Sequence, residues 1–163
     1  MTIQKLVRIR KVLFALSITA LVGGVIFLLP RTRANFDPAT RDATRISDLQ
    51  QVQKYLQTYF NRCGYYPGNV PPAPPAPCPA WASPHGWPTM SIALTGFGNG
   101  LGVNSVPNDP LATRTYLYAA PDGKSFVLGA MLEDSANPNL LQSVHGVVND
   151  VDCEGSMYCL TNQ

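Results

Sequence analysis

Two hydrophobic patterns follow one another along the first part of the chain. Val12 to Leu29 is a run of eighteen residues without a charge, and at about 1.5 Å per residue it approaches the length that crosses a bilayer. Beyond Pro30, apolar residues recur at steps of three and four, which is the spacing of one face of an α-helix. These patterns predict a transmembrane helix over 12–29 and an amphipathic helix over 38–62.

The amphipathic helix carries start and stop signals. Asp37 is a candidate N-cap, Pro38 suits the first helical position, and Gly64 suits the position that ends a helix. The apolar stripe begins at Ala43 and continues through residues that we predict to pack as a core against a sheet: Ile46, Leu49, Val52, Leu56, Tyr59 and Phe60. The polar residues are expected mostly off that stripe: Arg41, Asp42, Arg45, Asp48, Gln50, Gln51, Lys54 and Gln57.

The middle of the chain, 63–102, is rich in proline and glycine and is predicted to be a connecting loop. The prolines between Tyr65 and Pro88 favour an extended polyproline II conformation, and proline cannot donate to a sheet ladder. We interpret the segment as a surface loop, with recognition by an aromatic-lined groove of a partner as the alternative. A short helical turn is expected around Ser91–Leu94.

The remainder, 103–163, carries the strand signals. Tyr116–Ala119 and Ser125–Leu132 are rich in aromatic and β-branched residues, and the Pro-Asp-Gly sequence between them is typical of a turn. These segments predict an antiparallel hairpin, and Gln142–Val148 is a candidate third strand. Tyr116 and Tyr118 are expected on one face, and a second set on another: Phe126, Leu128, Ala130 and Leu132. The predicted fold class is α+β, with the long N-terminal helix packed on a small antiparallel sheet.

The charges around the apolar run predict its orientation. Four basic residues precede it and two follow it, namely Lys5, Arg8, Arg10, Lys11, Arg31 and Arg33. This asymmetry favours a cytoplasmic N-terminus. The predicted organisation is a basic cytoplasmic end at 1–11, a single transmembrane helix at 12–29, the amphipathic helix at 38–62, the loop at 63–102, and a head at 103–163. The predicted location is the inner membrane, with the head periplasmic or extracellular.

Small residues and a proline within the anchor region have predicted roles. Gly23 and Gly24 permit close approach of a neighbouring helix, and Pro30 removes a backbone donor and kinks or interrupts the helix. A cleaved secretory signal is the alternative interpretation of the run. The run is longer than a typical signal core, and Thr32-Arg33-Ala34 is a poor cleavage site.

Four cysteines, all beyond the apolar run, are consistent with two disulfides in an oxidising compartment. Three pairings are possible, and we predict Cys63–Cys78 and Cys153–Cys159 because near neighbours close loops at the lowest entropic cost. Reduced, buried cysteines and a zinc site are the alternatives. The net charge of +2 and the charged fraction of 13% give no reason to expect a nucleic-acid partner.

The sequence offers few candidates for catalytic, cofactor-binding or metal-binding residues. The chain has no catalytic or nucleotide-binding motif, and its two histidines, His85 and His145, have no evident catalytic partners. We therefore predict no enzyme, no catalytic residue, no cofactor and no small-molecule substrate. A cluster of oxygen-bearing residues near the C-terminus has no recognisable calcium-loop spacing and is interpreted as a solvated turn, with a metal site as the alternative: Asn149, Asp150, Asp152 and Glu154. Trp81 and Trp87 are either packed rings or an exposed patch for a partner.

Two stretches in this order resemble a known family. RDATRISDLQQVQKYLQTYFNRCGYYP is similar to the helix and G-x-Y-P turn of the type IV pilin and type II secretion pseudopilin superfamily, and NDPLATRTYLYAAPDGKSFVLGAMLED is similar to its hairpin. The likeness is greatest to major-pseudopilin-like members. Pro30 matches the proline that kinks family helices. The resemblance implies a structural subunit that assembles with copies or other pilin-like subunits and with an assembly platform in the membrane.

The N-terminal region departs from the family pattern. KLVRIRKVLFALSITALVGG has no Gly-Phe cleavage junction, and no acidic residue lies between Met1 and Leu29. In the family, a glutamate in the apolar run is thought to pair with the N-terminal amine of a neighbouring subunit. The resemblance then implies either an uncleaved membrane protein or a subunit at a filament tip. A membrane-tethered binding module with a pilin-like head, which does not polymerise, is the alternative function.

Overall fold

The computed structural model describes residues 37–68, 78, 86–96 and 101–162, all of which belong to one compact unit, Phe36–Gln163. The helices are α1, Pro38–Cys63, and α2, Trp87–Thr95, with a 3₁₀ helix at Pro138–Gln142. The strands are β1, Leu117–Ala119; β2, Val127–Met131; β3, Val147–Val148; β4, Val151–Asp152; and β5, Met157–Thr161. One long helix with a small antiparallel sheet confirms the α+β class.

The predicted anchor lies outside the described residues, and so do Gly23, Gly24 and Pro30. Neither helix within the described ranges combines the length and the apolar character needed to cross a bilayer. The predictions made for 1–11 and 12–29 therefore stay predictions.

The predicted amphipathic helix is confirmed and ends one residue later than expected. Asp37 caps its start, because its carboxylate accepts a hydrogen bond from the backbone N–H of Thr40 at 2.9 Å. Gly64 ends it in the left-handed region at φ 76°, and its N–H donates to the carbonyl of Phe60 at 2.7 Å. Local chemistry at both ends thus sets the length of α1.

The apolar stripe of α1 forms one wall of the core. Ile46, Leu49, Val52, Leu56 and Tyr59 are buried, and Phe60 is partly buried against the same cluster. Ala43 is exposed, so including it in the stripe was wrong. The buried face passes instead through Asp42, four residues before Ile46, and Arg45 beside it.

The main sheet has the order β1-β2-β5, with both pairs antiparallel. The predicted hairpin is confirmed, with Tyr118 opposite Leu128. Cross-strand partners project from the same face, so the expectation that the tyrosines and the β2 set lie on different faces was wrong. Tyr116 and Tyr118 share the buried inner face with Phe126, Leu128, Ala130 and Leu132.

The third strand of this sheet is β5, and the expected strand over Gln142–Val148 was wrong. That segment ends the 3₁₀ helix and continues into the two-residue strand β3, which pairs only with β4. Asn149 and Asp150 join the two strands at φ 49° and 66°, as in the tightest hairpin turns. The 3₁₀ helix begins at Asn137-Pro138, where proline favours a helical first turn over a strand.

The short helical turn expected at Ser91–Leu94 is present within a longer helix, α2. Proline is tolerated in a helical first turn because the N–H it lacks would have no intrahelical partner, and Pro88 lies there. Trp87 and Pro88, which were predicted to be extended, are therefore helical. The Trp87 ring is buried edge-on to Tyr116, and its indole N–H donates to the carbonyl of Pro107 at 3.1 Å.

Candidate functional site

The first turns of α1 contain buried charges. Asp42 and Arg45 are both 0% exposed, although both were expected mostly off the packed stripe. The Arg45 guanidinium donates to both carboxylate oxygens of Asp109, at 2.8 and 2.9 Å, and to Asp42 at 2.8 Å. A buried charge is tolerated only when it is paired and hydrogen-bonded, and Arg45 meets this condition through its bidentate pair.

Glu133, just beyond β2, completes what we call the charge cluster: Arg41, Asp42, Arg45, Asp109 and Glu133. Its carboxylate accepts from Arg45 at 2.6 Å and from Arg41 at 2.7 and 2.5 Å. The Asp42 carboxylate in turn accepts backbone N–H bonds from Glu133 and the next residue, at 2.9 to 3.0 Å. The cluster therefore ties the start of α1 to the end of β2 and to the loop before β1.

Pairing shifts the ionisation of the cluster. The hydrogen bonds from Arg41 and then Arg45 lower the pKa of Glu133 to about 2. Burial acts to raise the pKa of Asp109, but the hydrogen bonds from Arg45 and from the Leu111 N–H outweigh burial and lower it. The hydrogen bond to Asp109 contributes most to raising the pKa of Arg45. All three shifts favour the charged forms, which is the behaviour of structural ion pairs.

Acidification is expected to weaken the fold between pH 4.5, the ordinary pKa of Glu133, and about 2, its pKa in the folded state. Because the folded-state value is the lower one, the contribution of Glu133 is fully present above pH 4.5 and is lost as the pH falls towards 2. Asp109 acts in the same direction. Urea unfolding at a series of pH values measures the effect. Glu133→Gln should be less stable at neutral pH and show a shallower acid slope; an unchanged slope would contradict this assignment.

A second polar layer lies between α1 and β1. The Tyr116 hydroxyl donates to Asp48 at 2.7 Å, and the Tyr118 hydroxyl donates to the carbonyl of Pro67 at 2.6 Å. Burial raises the pKa of Asp48, and the hydrogen bond from Tyr116 only partly offsets it. Burial also raises the pKa values of both tyrosines. These hydrogen bonds give the hydroxyl groups of both buried tyrosines an acceptor.

Both predicted disulfides are present, Cys63–Cys78 and Cys153–Cys159. The first ties the last residue of α1 to the Pro-rich stretch. The second joins the residue after β4 to the interior of β5, so Cys159 lies within a sheet strand as well as closing a terminal loop. Zinc and reduced cysteines, the two alternatives, are thereby excluded for these four residues.

The other candidate residues do not form a metal or catalytic site in the described part of the chain. Among the described residues, no group of three His, Cys, Asp or Glu side chains is placed to hold a metal. Asn149 and Asp150 form the β3–β4 turn, while Glu154 accepts from the N–H of Gly146 at 2.8 Å. His145 is exposed. Trp87 is packed, which favours that interpretation of this tryptophan; Trp81 and His85 lie outside the described ranges.

A surface groove follows β1 along its length. One part, about 460 Å³, is lined by Thr115–Ala119, by Gly86–Pro88 and by Asn149–Val151. A second part, about 360 Å³, shares Thr115 and Leu117 with the first and extends to Asp109, Arg114, Met131 and Met157. We call the two parts together the outer groove. Its described lining contains no pair of groups arranged for proton transfer or nucleophilic attack, so its chemistry is that of a contact surface.

The hydrophobic pattern along the chain did not predict that the charge cluster would be buried. The missed signal was the spacing of Asp42, which lies four residues before Ile46 on the same helical face, with the oppositely charged Arg45 three residues away. The other two carboxylates come from distant segments and had no local signal. Comparisons with protein-family models, with curated proteins and with solved structures return no match for this chain.

Proposed function

We propose that the chain is a pilin-like or pseudopilin-like structural subunit of a type II secretion or type IV pilus system. In this proposal residues 12–29 anchor it in the inner membrane, and the head lies in the periplasm or outside the cell. The observation that carries the proposal is α1, which begins a short distance beyond the apolar run and buries its stripe against an antiparallel sheet. Such a helix would connect an anchor to a folded head.

The charge cluster supports this role on mechanical grounds. A subunit that is moved through its anchor transmits force to the head at the start of α1. Arg41 and Arg45 lie in the first two turns and are paired with Glu133 and Asp109 from the sheet side. Separating the helix from the sheet would expose or unpair several charges together, so the contact between α1 and the sheet would resist mechanical separation.

Assembly in the proposed subunit would proceed through helix packing in the membrane and through an assembly platform. Gly23→Leu with Gly24→Leu is expected to reduce self-association of the anchor, because leucine side chains keep the two backbones apart. We expect a roughly twofold or greater fall in crosslinked dimer when the full chain is crosslinked in membranes. The matched control is Val22→Leu with Val25→Leu, which enlarges the residues on either side of the glycines but leaves both glycines in place. Equal dimer in both pairs would mean that the glycines are not an interface.

Processing of the N-terminus tests the proposal itself. Intact-mass and peptide mass spectrometry of the protein from its native membrane would show a trimmed and methylated N-terminus if a prepilin peptidase acts on it. That result supports the filament subunit. A membrane protein that keeps its basic start and never crosslinks to another pilin-like subunit would contradict it.

The second candidate function is a membrane-tethered binding module that does not polymerise. The observation in its favour is the lack of any acidic residue between Met1 and Leu29, since the pairing expected inside a family filament requires a carboxylate there. The two functions differ in assembly. Blue-native electrophoresis of detergent-solubilised membranes would show a ladder of higher oligomers for a filament subunit, and discrete small species for a tethered module.

A further inference from the structure

The described residues cover only part of the outer face of the main sheet, which is the face away from α1. Ala119, Val127 and Cys159 on this face are buried in a second apolar cluster that includes Val148 and Val151 of the small β3–β4 sheet. Two other residues of this face, Leu117 and Met131, are left exposed by the part of the chain that the structure describes.

The exposed residues of this face are apolar, although a solvent-facing sheet face normally carries polar residues. Leu117 is 40% exposed and Met131 is 47% exposed, and both line the outer groove with Met157. Gly129 lies between Met157 and Leu117: a Cβ atom there would be 3.2 Å from the Met157 sulfur and 3.4 Å from the Cβ of Leu117. Flexible methionines beside a leucine make a surface that adapts to an apolar partner.

Arg114 and Asp150 lie at opposite ends of the outer groove. Asp109 lines the same end as Arg114, but its carboxylate is paired with Arg45. Arg114 lines one end and donates to the backbone carbonyl of Met131 at 3.1 Å, but it takes part in none of the ion pairs found among the described residues. Asp150, which is exposed at the tip of the β3–β4 turn, lines the other end. Leu117 lies between them and lines both parts of the groove.

A surface with this arrangement is complementary to itself. When two copies face each other across a twofold axis that passes near Leu117, the directions of their grooves are reversed. Arg114 of each copy then lies opposite Asp150 of the other, and the apolar centres meet. Isologous contacts of this kind need one patch that is self-complementary, with each contact made twice.

We infer that the outer groove is a docking surface for a second copy of this chain, joined head to head with an apolar centre at Leu117 and Met131 and two reciprocal Arg114–Asp150 ion pairs. The inference does not depend on the proposed filament function, because it concerns the head and not the anchor. A small patch gives a weak contact in dilute solution, and tethering both copies to one surface raises their effective concentration.

Site-specific photocrosslinking of the full chain in membranes tests the inference. A benzophenone amino acid in place of Met131 is expected to yield a crosslinked homodimer, with crosslinks mapped to Thr115–Ala119 or Asn149–Val151 of the other copy. The same probe in place of Leu141 is the matched control. Leu141 is 86% exposed and lies on the 3₁₀ helix, outside the groove, so it should give little dimer.

Charge reversal then tests the predicted pairs. With the probe at position 131, Arg114→Glu and Asp150→Lys should each lower the dimer yield by about threefold or more, and the double variant should restore it. Asp150→Asn, which suits the left-handed backbone there, checks that loss of charge and not strain weakens the contact. Leu117→Gln should lower the yield, whereas Leu141→Gln should not.

Three outcomes would overturn the inference. The first is equal dimer from positions 131 and 141. The second is crosslinking from position 131 mainly to a different protein, which would assign the groove to another partner. The third is a double charge reversal that does not recover the dimer. The Gly23→Leu/Gly24→Leu pair should leave the head crosslink in place, so failure of the anchor proposal and failure of this one can be distinguished.

Discussion

Replacing Arg45 with methionine is expected to lower the free energy of unfolding by about 3–5 kcal/mol. The side chain is 0% exposed and pairs with three carboxylates, those of Asp42, Asp109 and Glu133. Methionine fills similar space but supplies no donor. Removing the guanidinium therefore leaves buried negative charges facing each other, and their mutual repulsion adds to the cost of their desolvation.

Urea denaturation of the detergent-solubilised full chain, followed by tryptophan fluorescence, measures this loss. The matched control is Arg62→Met, because Arg62 is exposed in the last turn of the same helix and is expected to change stability by only about 0.3–1 kcal/mol. An Arg45→Met protein as stable as the wild type would mean that Arg45 is dispensable for joining α1 to the sheet.

Shortening Leu56 to alanine is the second large expected effect, a loss of about 2–5 kcal/mol. Leu56 is 0% exposed in the stripe of α1 and belongs to the core cluster that also contains Tyr118 and Leu128 of the sheet. The change removes buried methyl groups and leaves a cavity that the surrounding helix and sheet can fill only in part. The same denaturation experiment measures it.

Leu141→Ala provides the comparison for Leu56→Ala. The substitution removes the same atoms from a side chain that is 86% exposed, so it is expected to change stability by less than about 0.5 kcal/mol. A similar loss in both variants would show that the Leu56 site repacks without a cavity. The difference between the two variants compares the loss of the same atoms from a buried and from an exposed side chain.

The elements that could be predicted from the sequence are those whose signals come from residues close together along the chain. α1 was predictable to within a residue because Asp37, Pro38 and Gly64 act on their own backbone neighbours and the stripe repeats every three to four residues. The β1–β2 hairpin was predictable because the turn between them has its own chemistry, in which the Asp122 carboxylate accepts the N–H groups of two following residues. Both disulfide pairs followed from closeness along the chain.

The strand β5 was missed for a physical reason. Its five residues, MYCLT, contain the strand-favouring Tyr158, but the nearby Cys159 was interpreted as closing a loop. Its partner β2 lies about thirty residues earlier, with Leu128 opposite Leu160. Strand pairing over such a separation depends on which edge of the hairpin is available, and local composition does not contain that information.

The amino-acid sequence by itself determined the helix that follows the apolar run, the hairpin and the two disulfides, because caps, turns and short loops depend on residues that are neighbours along the chain. Only the tertiary structure decided that Asp42 and Arg45 are buried, and that the β3–β4 sheet covers part of the outer face of the main sheet. Both outcomes depend on residues from distant segments of the chain. Asp109 and Glu133 pair with the buried arginine, and the β3–β4 sheet packs on the outer face. Whether a charge is exposed or paired inside the core is set by what packs against it, and a pattern along one helix does not specify its partners.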